Sequence, residues 1–278
     1  MTWEETIKFI RTQPEFKFLV EKAYFEENLP VNVERYRQET EYKETVNKIK
    51  KHAPNAKKIL DIGSGNGITC ISFALEGYDV TTVEPDPSET IGAGAIRKLK
   101  ENYALENLVV YEAFAEEINF KNEEFDVVFA RQCMHHAYDL EKFVSEMSRV
   151  LKKGGMFFTV RDHVIFNEKD KEWFLENHPL QKFYGGENAF TPKEYRNAIE
   201  KSGLTIKEEL KFYDSEINYF PETTQDIENK KSAIFKNLKY KNILQFLPSY
   251  KNRKIQNILH YSEKNIPGRM YSYLAIKE

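Results

Sequence analysis

Cysteine is scarce in this chain. Cys70 and Cys133 are the only two thiols among 278 residues, too few for a disulfide framework and at no zinc-ligand spacing. Glycine and proline number only 12 and 10, and no low-complexity tract is present, which excludes collagen-like and largely disordered chains. No uncharged apolar run approaches the ~20 residues of a membrane-spanning helix. The opening Met1-Thr2-Trp3-Glu4-Glu5 has no basic region followed by an apolar stretch, so no secretory signal is expected, and the chain reads as cytoplasmic with no membrane partner. An excess of positive charge is also missing. The net charge of -3 makes nucleic acid an unlikely partner. What is present is a 41% hydrophobic, 31% charged chain, long enough for one large α/β core.

No internal repeat is visible. Residues 1–56 read as amphipathic helices, with Ile7, Ile10, Leu19, Val20, Ala23 and Tyr24 at helical spacing, a break at Asn28-Leu29-Pro30, and a second helix from about Glu39 to Lys51. Strand and helix then alternate. Strands are predicted at Lys57–Ile62, Asp79–Val83, Leu108–Tyr111, Phe125–Ala130 and Met156–Val160, with helices around Ile68–Leu75, Ile91–Leu99 and Leu140–Leu151. Several of these strands lack polar alternation, which predicts a parallel sheet covered on both faces. Thr191-Pro192-Lys193-Glu194 is a helix start. Two further strands are predicted at Leu204–Tyr213 and Met270–Ile276. Between them, 221–266 is helical in pattern and carries nine Lys/Arg against four Asp/Glu.

The most informative stretch is Asp61-Ile62-Gly63-Ser64-Gly65-Asn66-Gly67, between the first strand and a helix. Glycine there permits a sharp turn and a close ligand, and the helix start offers free N–H groups. Glu84 ends the next strand, where a carboxylate can accept hydrogen bonds from both hydroxyls of a ribose. Ile68 replaces the third glycine of the dinucleotide fingerprint, and no phosphate-binding P-loop is present.

These residues, with Val83-Glu84-Pro85-Asp86, Ala115-Glu116-Glu117, Phe125-Asp126-Val127-Val128, Met134-His135-His136 and Arg149-Val150-Leu151-Lys152-Lys153-Gly154-Gly155, make residues 57–160 resemble the class I S-adenosylmethionine-dependent methyltransferases of type 11 or 25. The resemblance implies an α/β Rossmann-like, doubly wound, seven-stranded sheet with an antiparallel last strand. It implies S-adenosyl-L-methionine as cofactor, held by Asp61, Gly63, Ser64, Gly65, Gly67, Glu84, Pro85, Asp86, Ala115, Glu116 and Arg131. Phe114 stands where the family often has an Asp near the adenine, which points to stacking there, and Asn119 replaces the usual Pro of that loop. The chain divides into an N-terminal helical segment, 1–56, with Tyr36 and Arg37 as lid candidates; the methyltransferase domain, 57–220 and 267–278; and a helical insertion, 221–266, as a substrate cap.

Ligands of open α/β sheets bind beyond the C-terminal ends of the strands. Strand four ends at Arg131-Gln132-Cys133-Met134-His135-His136 and strand five at Arg161-Asp162-His163. His163, His135 and Asp162 are the candidates for acceptor contact and proton removal. His136, Arg161, Tyr184, Glu187 and Asn188 are candidates for acceptor binding. His135, His163 and Asp162 have no spacing diagnostic of a metal, and none is expected. Cys133 lacks the preceding proline of cytosine-C5 enzymes and reads as a buried thiol. The Asn/Asp-Pro-Pro-aromatic motif of amino-group methylation is absent. The expected activity is methyl transfer to a small polar metabolite, at oxygen: a saccharide, since 161–195 resembles enzymes of surface-polysaccharide pathways, or a phosphorylated, anionic precursor, since 221–266 is basic. An RNA or protein methyltransferase docking through that insertion, and a non-catalytic cofactor-binding module, are the alternatives.

Overall fold

The structure is a computed structural model, and it describes residues 1–239, 241–262 and 266–278. Four helices come first: α1 (Trp3–Arg11), α2 (Lys17–Lys22), α3 (Leu29–Gln38) and α4 (Thr40–His52). The expected break before α3 is its cap, where the Asn28 side chain accepts from Val31 N–H and Pro30 sits in the first turn. Then β1 (Lys58–Ile62), α5 (Ile68–Leu75), β2 (Asp79–Val83), α6 (Ala93–Asn102), β3 (Leu108–Tyr111), β4 (Phe125–Arg131), α7 (Leu140–Val150) and β5 (Leu151–Val164) alternate. Three helices follow, α8 (Glu168–Asn177), α9 (Gln181–Tyr184) and α10 (Pro192–Lys201), and then β6 (Leu204–Leu210). After α11 (Glu216–Tyr219), the insertion forms α12 (Thr224–Asn237), α13 (Lys241–Leu244) and α14 (Pro248–Ser262) before β7 (Arg269–Lys277).

The strands form one sheet in the order β3-β2-β1-β4-β5-β7-β6. The first five are parallel, and β7 runs antiparallel between β5 and β6. The Rossmann-like expectation therefore holds. The central strands are buried on both faces because alternate side chains enter two cores. Ile59, Val127, Phe129 and Phe158 pack beneath α4 and α5, while Leu60, Val128, Phe157 and Ala275 pack against α7 and α10. The strand order reverses between β1 and β4, so the crevice above their C-terminal ends is where this topology places a ligand.

Two strands differ from expectation. β5 runs past Val160 to Val164, because β7 continues to pair with it beyond a register shift between Thr159 and Asp162. Arg161 lies in that shift with φ of 62°. β6 stops at Leu210, and Phe212–Asp214 turn in a short 3-10 helix.

The insertion packs rather than floats: Ile227, Ile255 and Leu259 bury against Phe212, Tyr213 and Tyr219. Residues 240 and 263–265 of it lie outside the described residues. Among the described residues, no helix is long and apolar enough to cross a membrane.

Candidate active site

Above the switch point lies a cleft of about 740 Å³, within the range of small-molecule sites. The sequence folds locally to make its floor. Gly63, Gly65 and Gly67 all have positive φ, and two of them are also required by packing. A Cβ on Gly63 would lie 2.3 Å from Cys133 Sγ, and one on Gly67 would press on Ile96 at 3.0 Å. A Cβ on Gly65 would meet only the Ile91 carbonyl oxygen, at 3.8 Å, and the residue lines the cleft. Beneath the loop, fully buried Asp61 accepts from Ser64 Oγ at 2.5 Å and from the Thr69 hydroxyl. Burial pushes its carboxyl up to about 6.

Glu84 is the best-defined group at this end. Its Oε2 accepts from Gly65 N–H at 2.7 Å and its Oε1 from Asp86 N–H at 3.0 Å. Two backbone donors thus aim the carboxylate, and each oxygen keeps a lone pair for a further donor. Burial raises its pKa to about 7, against the two backbone hydrogen bonds that lower it. Phe114 and Tyr138, 57% and 90% exposed, flank the same end with ring centroids 6.4 Å apart. Glu116 Oε1 accepts from Tyr138 N–H at 3.0 Å. A diol-binding carboxylate beside exposed aromatic faces fits an adenosine group.

The other end of the cleft is rich in histidine. Four of the chain's six histidines line it: His135, His136, His163 and His178. The Nδ1–H groups of three are committed: His135 to Asp162 Oδ1 at 3.1 Å, His163 to the Gly268 carbonyl at 2.9 Å, and His136 to the Gly186 carbonyl at 2.8 Å. Asp162 also accepts from His135 backbone N–H at 3.0 Å and from the Thr159 hydroxyl. Burial disfavours protonation of three of these rings, holding His163 and His178 at about 4 and His135 well below its ordinary value. The Tyr184 hydroxyl donates to Glu187, whose N–H donates to Gln181 Oε1 at 2.9 Å.

The structure brings together in this cleft Gly63, Ser64, Gly65, Glu84, Pro85, Asp86, Ala115, Glu116, Arg131, His135, His136, His163, Tyr184, Glu187 and Asn188. Other expected residues lie elsewhere. Asp61 braces the loop from below, and Gly67 packs on Ile96. Asp162 is fully buried behind His135, so it reaches the cleft only through that ring. Arg161 is the clearest correction. The register shift in β5 turns it away from the cleft, where its guanidinium donates to the carbonyls of Ile217 at 2.6 Å and Phe220 at 3.1 Å. Of the lid candidates, Tyr36 is buried against Tyr24 and Tyr42, Arg37 pairs with Glu76, and neither lines the cleft. No described residue of 221–266 lines the cleft. Cys133 lines it, but burial pushes the thiol well up, and it remains a packing group against Gly63.

Trp3, Leu19, Ala23 and Phe25 of the N-terminal segment wall the cleft instead, and Trp3, Leu19 and Phe25 join Leu180 and Tyr184 in one apolar cluster. His178 also went unnoticed in the sequence. The signal available for it was the concentration of few histidines near the ends of β4 and β5. Arg131, the only Lys or Arg lining the cleft among the described residues, is held by Glu41 at 2.6 and 3.1 Å and by Gln132 at 2.8 Å.

Comparison with known proteins agrees with this geometry. Residues 60–159 match the type 11 family described as "Methyltransferase domain". An uncharacterized methyltransferase of Bacillus subtilis, YcgJ, is 33% identical over 113 residues, 38% of this chain and 40% of that protein. Its crystal structure superposes with a TM-score of 0.52 at 17% identity, covering 90% of this chain and 97% of that one. The ubiquinone biosynthesis O-methyltransferase of Bartonella tribocorum is 27% identical over 165 residues, 55% of this chain and 62% of that protein. The structure of geranyl diphosphate C-methyltransferase from Streptomyces coelicolor, complexed with Mg2+, geranyl diphosphate and S-adenosyl-L-homocysteine, has a TM-score of 0.58 at 14% identity, covering 85% of this chain and 79% of that one. The chain thus spans under two thirds of the length of the two curated relatives, and the solved structures speak to the fold alone. Residues 60–159 thus form a class I S-adenosyl-L-methionine-dependent methyltransferase domain of the type 11 family.

Proposed function

We propose that the protein transfers the methyl group of S-adenosyl-L-methionine to an oxygen of a small polar acceptor. The carrying observation is that one cleft of about 740 Å³ holds an oriented carboxylate, Glu84, at one end and neutral imidazoles at the other. When bound, the cofactor supplies a methyl group on a positively charged sulfur. Glu84 accepts from the ribose hydroxyls, and Phe114 with Ala115 and Glu116 borders the adenine. Gly63, Ser64 and Gly65 lie along the ribose and methionine, with Pro85 and Asp86 beside Glu84. Arg131, anchored by Glu41, offers its remaining N–H donors to the methionine end. A sulfonium is favoured in a cleft whose charged lining is acidic apart from Arg131.

The acceptor hydroxyl lies toward His135 and His163, with Tyr184, Glu187, Asn188 and His136 around it. Each of the two imidazoles has Nδ1–H fixed by an acceptor, so Nε2 carries the lone pair that can take a hydroxyl proton. Asp162 acts by positioning His135 and by stabilising positive charge on it. Methyl transfer would require these walls to hold acceptor oxygen, methyl carbon and sulfur in line. A polyol such as a saccharide suits this polar lining. A phosphorylated acceptor is less well served, since Arg131 is already paired. The described residues of the basic insertion lie off the cleft and give an RNA or protein acceptor no contact with it.

Isothermal titration with S-adenosyl-L-methionine, followed by a polyol and phenol screen that detects S-adenosylhomocysteine release, tests this reading. Binding with turnover on a hydroxyl compound supports it. Absence of cofactor binding, or turnover only on amines or macromolecules, overturns it.

A further inference from the structure

The histidine end of the cleft holds an unusual opposition of lone pairs. His135 donates its Nδ1–H to Asp162, so its Nε2 carries no proton, and this Nε2 faces Glu187 Oε2 at 3.8 Å. Close by, His178 Nδ1 is buried without a hydrogen-bond partner, 3.5 Å from Glu187 Oε1. His163, with Nδ1–H on the Gly268 carbonyl, adds a third free lone pair, and its ring lies 4.9 Å from that of His135. Donor atoms of His135, His163 and Glu187 all fall within 4.8 Å of one another. Electron pairs gathered on one point without a proton between them repel, and a cation at the centre reverses the sign of every contact.

We propose that His135, His163 and Glu187 form a binding site for a divalent transition ion of the zinc class, with an open position toward the acceptor. The donor set is two imidazoles and one carboxylate, which suits such an ion better than Mg2+. Each ligand has the outer support that metal ligands show: Asp162 behind His135, the Gly268 carbonyl behind His163, and the Tyr184 hydroxyl on Glu187. The imidazoles are neutral, as ligation requires, because burial disfavours their protonation. Ligand atoms around a tetrahedral ion at ~2.1 Å stand roughly 3.4 Å apart, so closure needs only about 1 Å of movement. Glu187, on the loop between α9 and α10, can supply it. The site differs from the sequence expectation of no metal: Asp162, placed by sequence beside the two histidines, supports one of them from outside, and Glu187 takes the ligand position.

This inference deepens the proposed O-methylation. A bound ion would place the missing positive charge beside the acceptor oxygen and make that hydroxyl more acidic. The two imidazoles would then serve as ligands rather than as proton acceptors.

The test uses tag-free, chelator-treated full chain, titrated with Co2+ in the absence of cofactor and followed by visible absorption. One equivalent should bind with ligand-field bands of a four- or five-coordinate ion, and Zn2+ should abolish them. Glu187→Gln and His163→Asn should each weaken binding at least about tenfold. Glu84→Ala, at the other end of the cleft, should leave it unchanged. Absence of such bands, or bands indifferent to Glu187→Gln, overturns the site. Because Glu187 comes from a loop, this variant decides the matter even if His163→Asn fails to fold. Cofactor binding is measured separately, so loss of the ion site leaves the methyltransferase reading standing, and the converse is equally visible.

Discussion

Glu41 and Arg131 form a two-point ion pair, at 2.6 and 3.1 Å, in which the carboxylate is wholly buried. Arg161 Nε approaches the same carboxylate at 3.8 Å. One acid on α4 therefore balances two buried guanidinium groups, one at the edge of the cleft and one beneath it. Removing it strands both charges, and loss of one partner of a buried pair costs about 3–5 kcal/mol. Glu41→Ala should lower the urea midpoint accordingly. A change within 1 kcal/mol would show that water or local rearrangement satisfies the two arginines.

Glu84→Ala removes the acceptor for two backbone N–H groups and, in the proposed binding mode, for the ribose. Hydrogen bonds to a charged group contribute about 1.5–3 kcal/mol, so cofactor affinity should fall roughly ten- to a hundredfold by titration calorimetry. Unchanged affinity would place the ribose elsewhere.

The same residue gives cofactor binding a pH dependence. Its carboxyl, raised to about 7 by burial, is partly protonated near neutrality. Only the ionised form accepts from both hydroxyls, so binding lowers its pKa and releases protons below pH 7. Affinity should rise with pH up to about 7, by no more than tenfold per unit, and flatten above 8. Calorimetry in buffers of different ionisation enthalpy would count the protons released at pH 6. Proton uptake there contradicts the assignment.

Phe114 offers an exposed ring at the end of the cleft proposed for the adenine. Stacking of a base on an aromatic side chain is worth about 1–3 kcal/mol. Phe114→Ala should weaken S-adenosylhomocysteine binding by about fivefold or more while leaving the melting temperature in place. Equal affinity for both proteins would assign the adenine to other walls.

Gly63→Ala would set a methyl 2.3 Å from Cys133 Sγ at a residue with φ of 65°. Backbone strain of this kind costs about 1–3 kcal/mol. The variant should melt earlier, and adding Cys133→Ala should recover part of the loss. No recovery would show that φ alone sets the cost.

The sheet and the Glu84 end of the cleft were legible in sequence because their signals are local. Gly63–Gly67 follow one strand and Glu84 closes the next, so turn geometry and spacing suffice. The histidine end was only half legible. His135 and His163 stand at strand ends, but whether Asp162 or Glu187 completes their cluster depends on a register shift in β5 that spacing does not reveal. The same shift hid the fate of Arg161, whose partners are carbonyls more than fifty residues away. Glu41 gave no sign of its burial, since a glutamate in the first turn of a Lys/Glu-rich helix reads as solvated. The walls formed by Trp3 and Phe25 were equally hidden, because long-range apolar packing leaves no mark on local periodicity.

Gly268 enters β7 directly after the insertion, with φ of 77° and Phe174 close against it, and its carbonyl fixes the tilt of the His163 ring. The entry of the last strand thereby sets the orientation of an imidazole in the cleft, although Gly268 does not itself line that cleft.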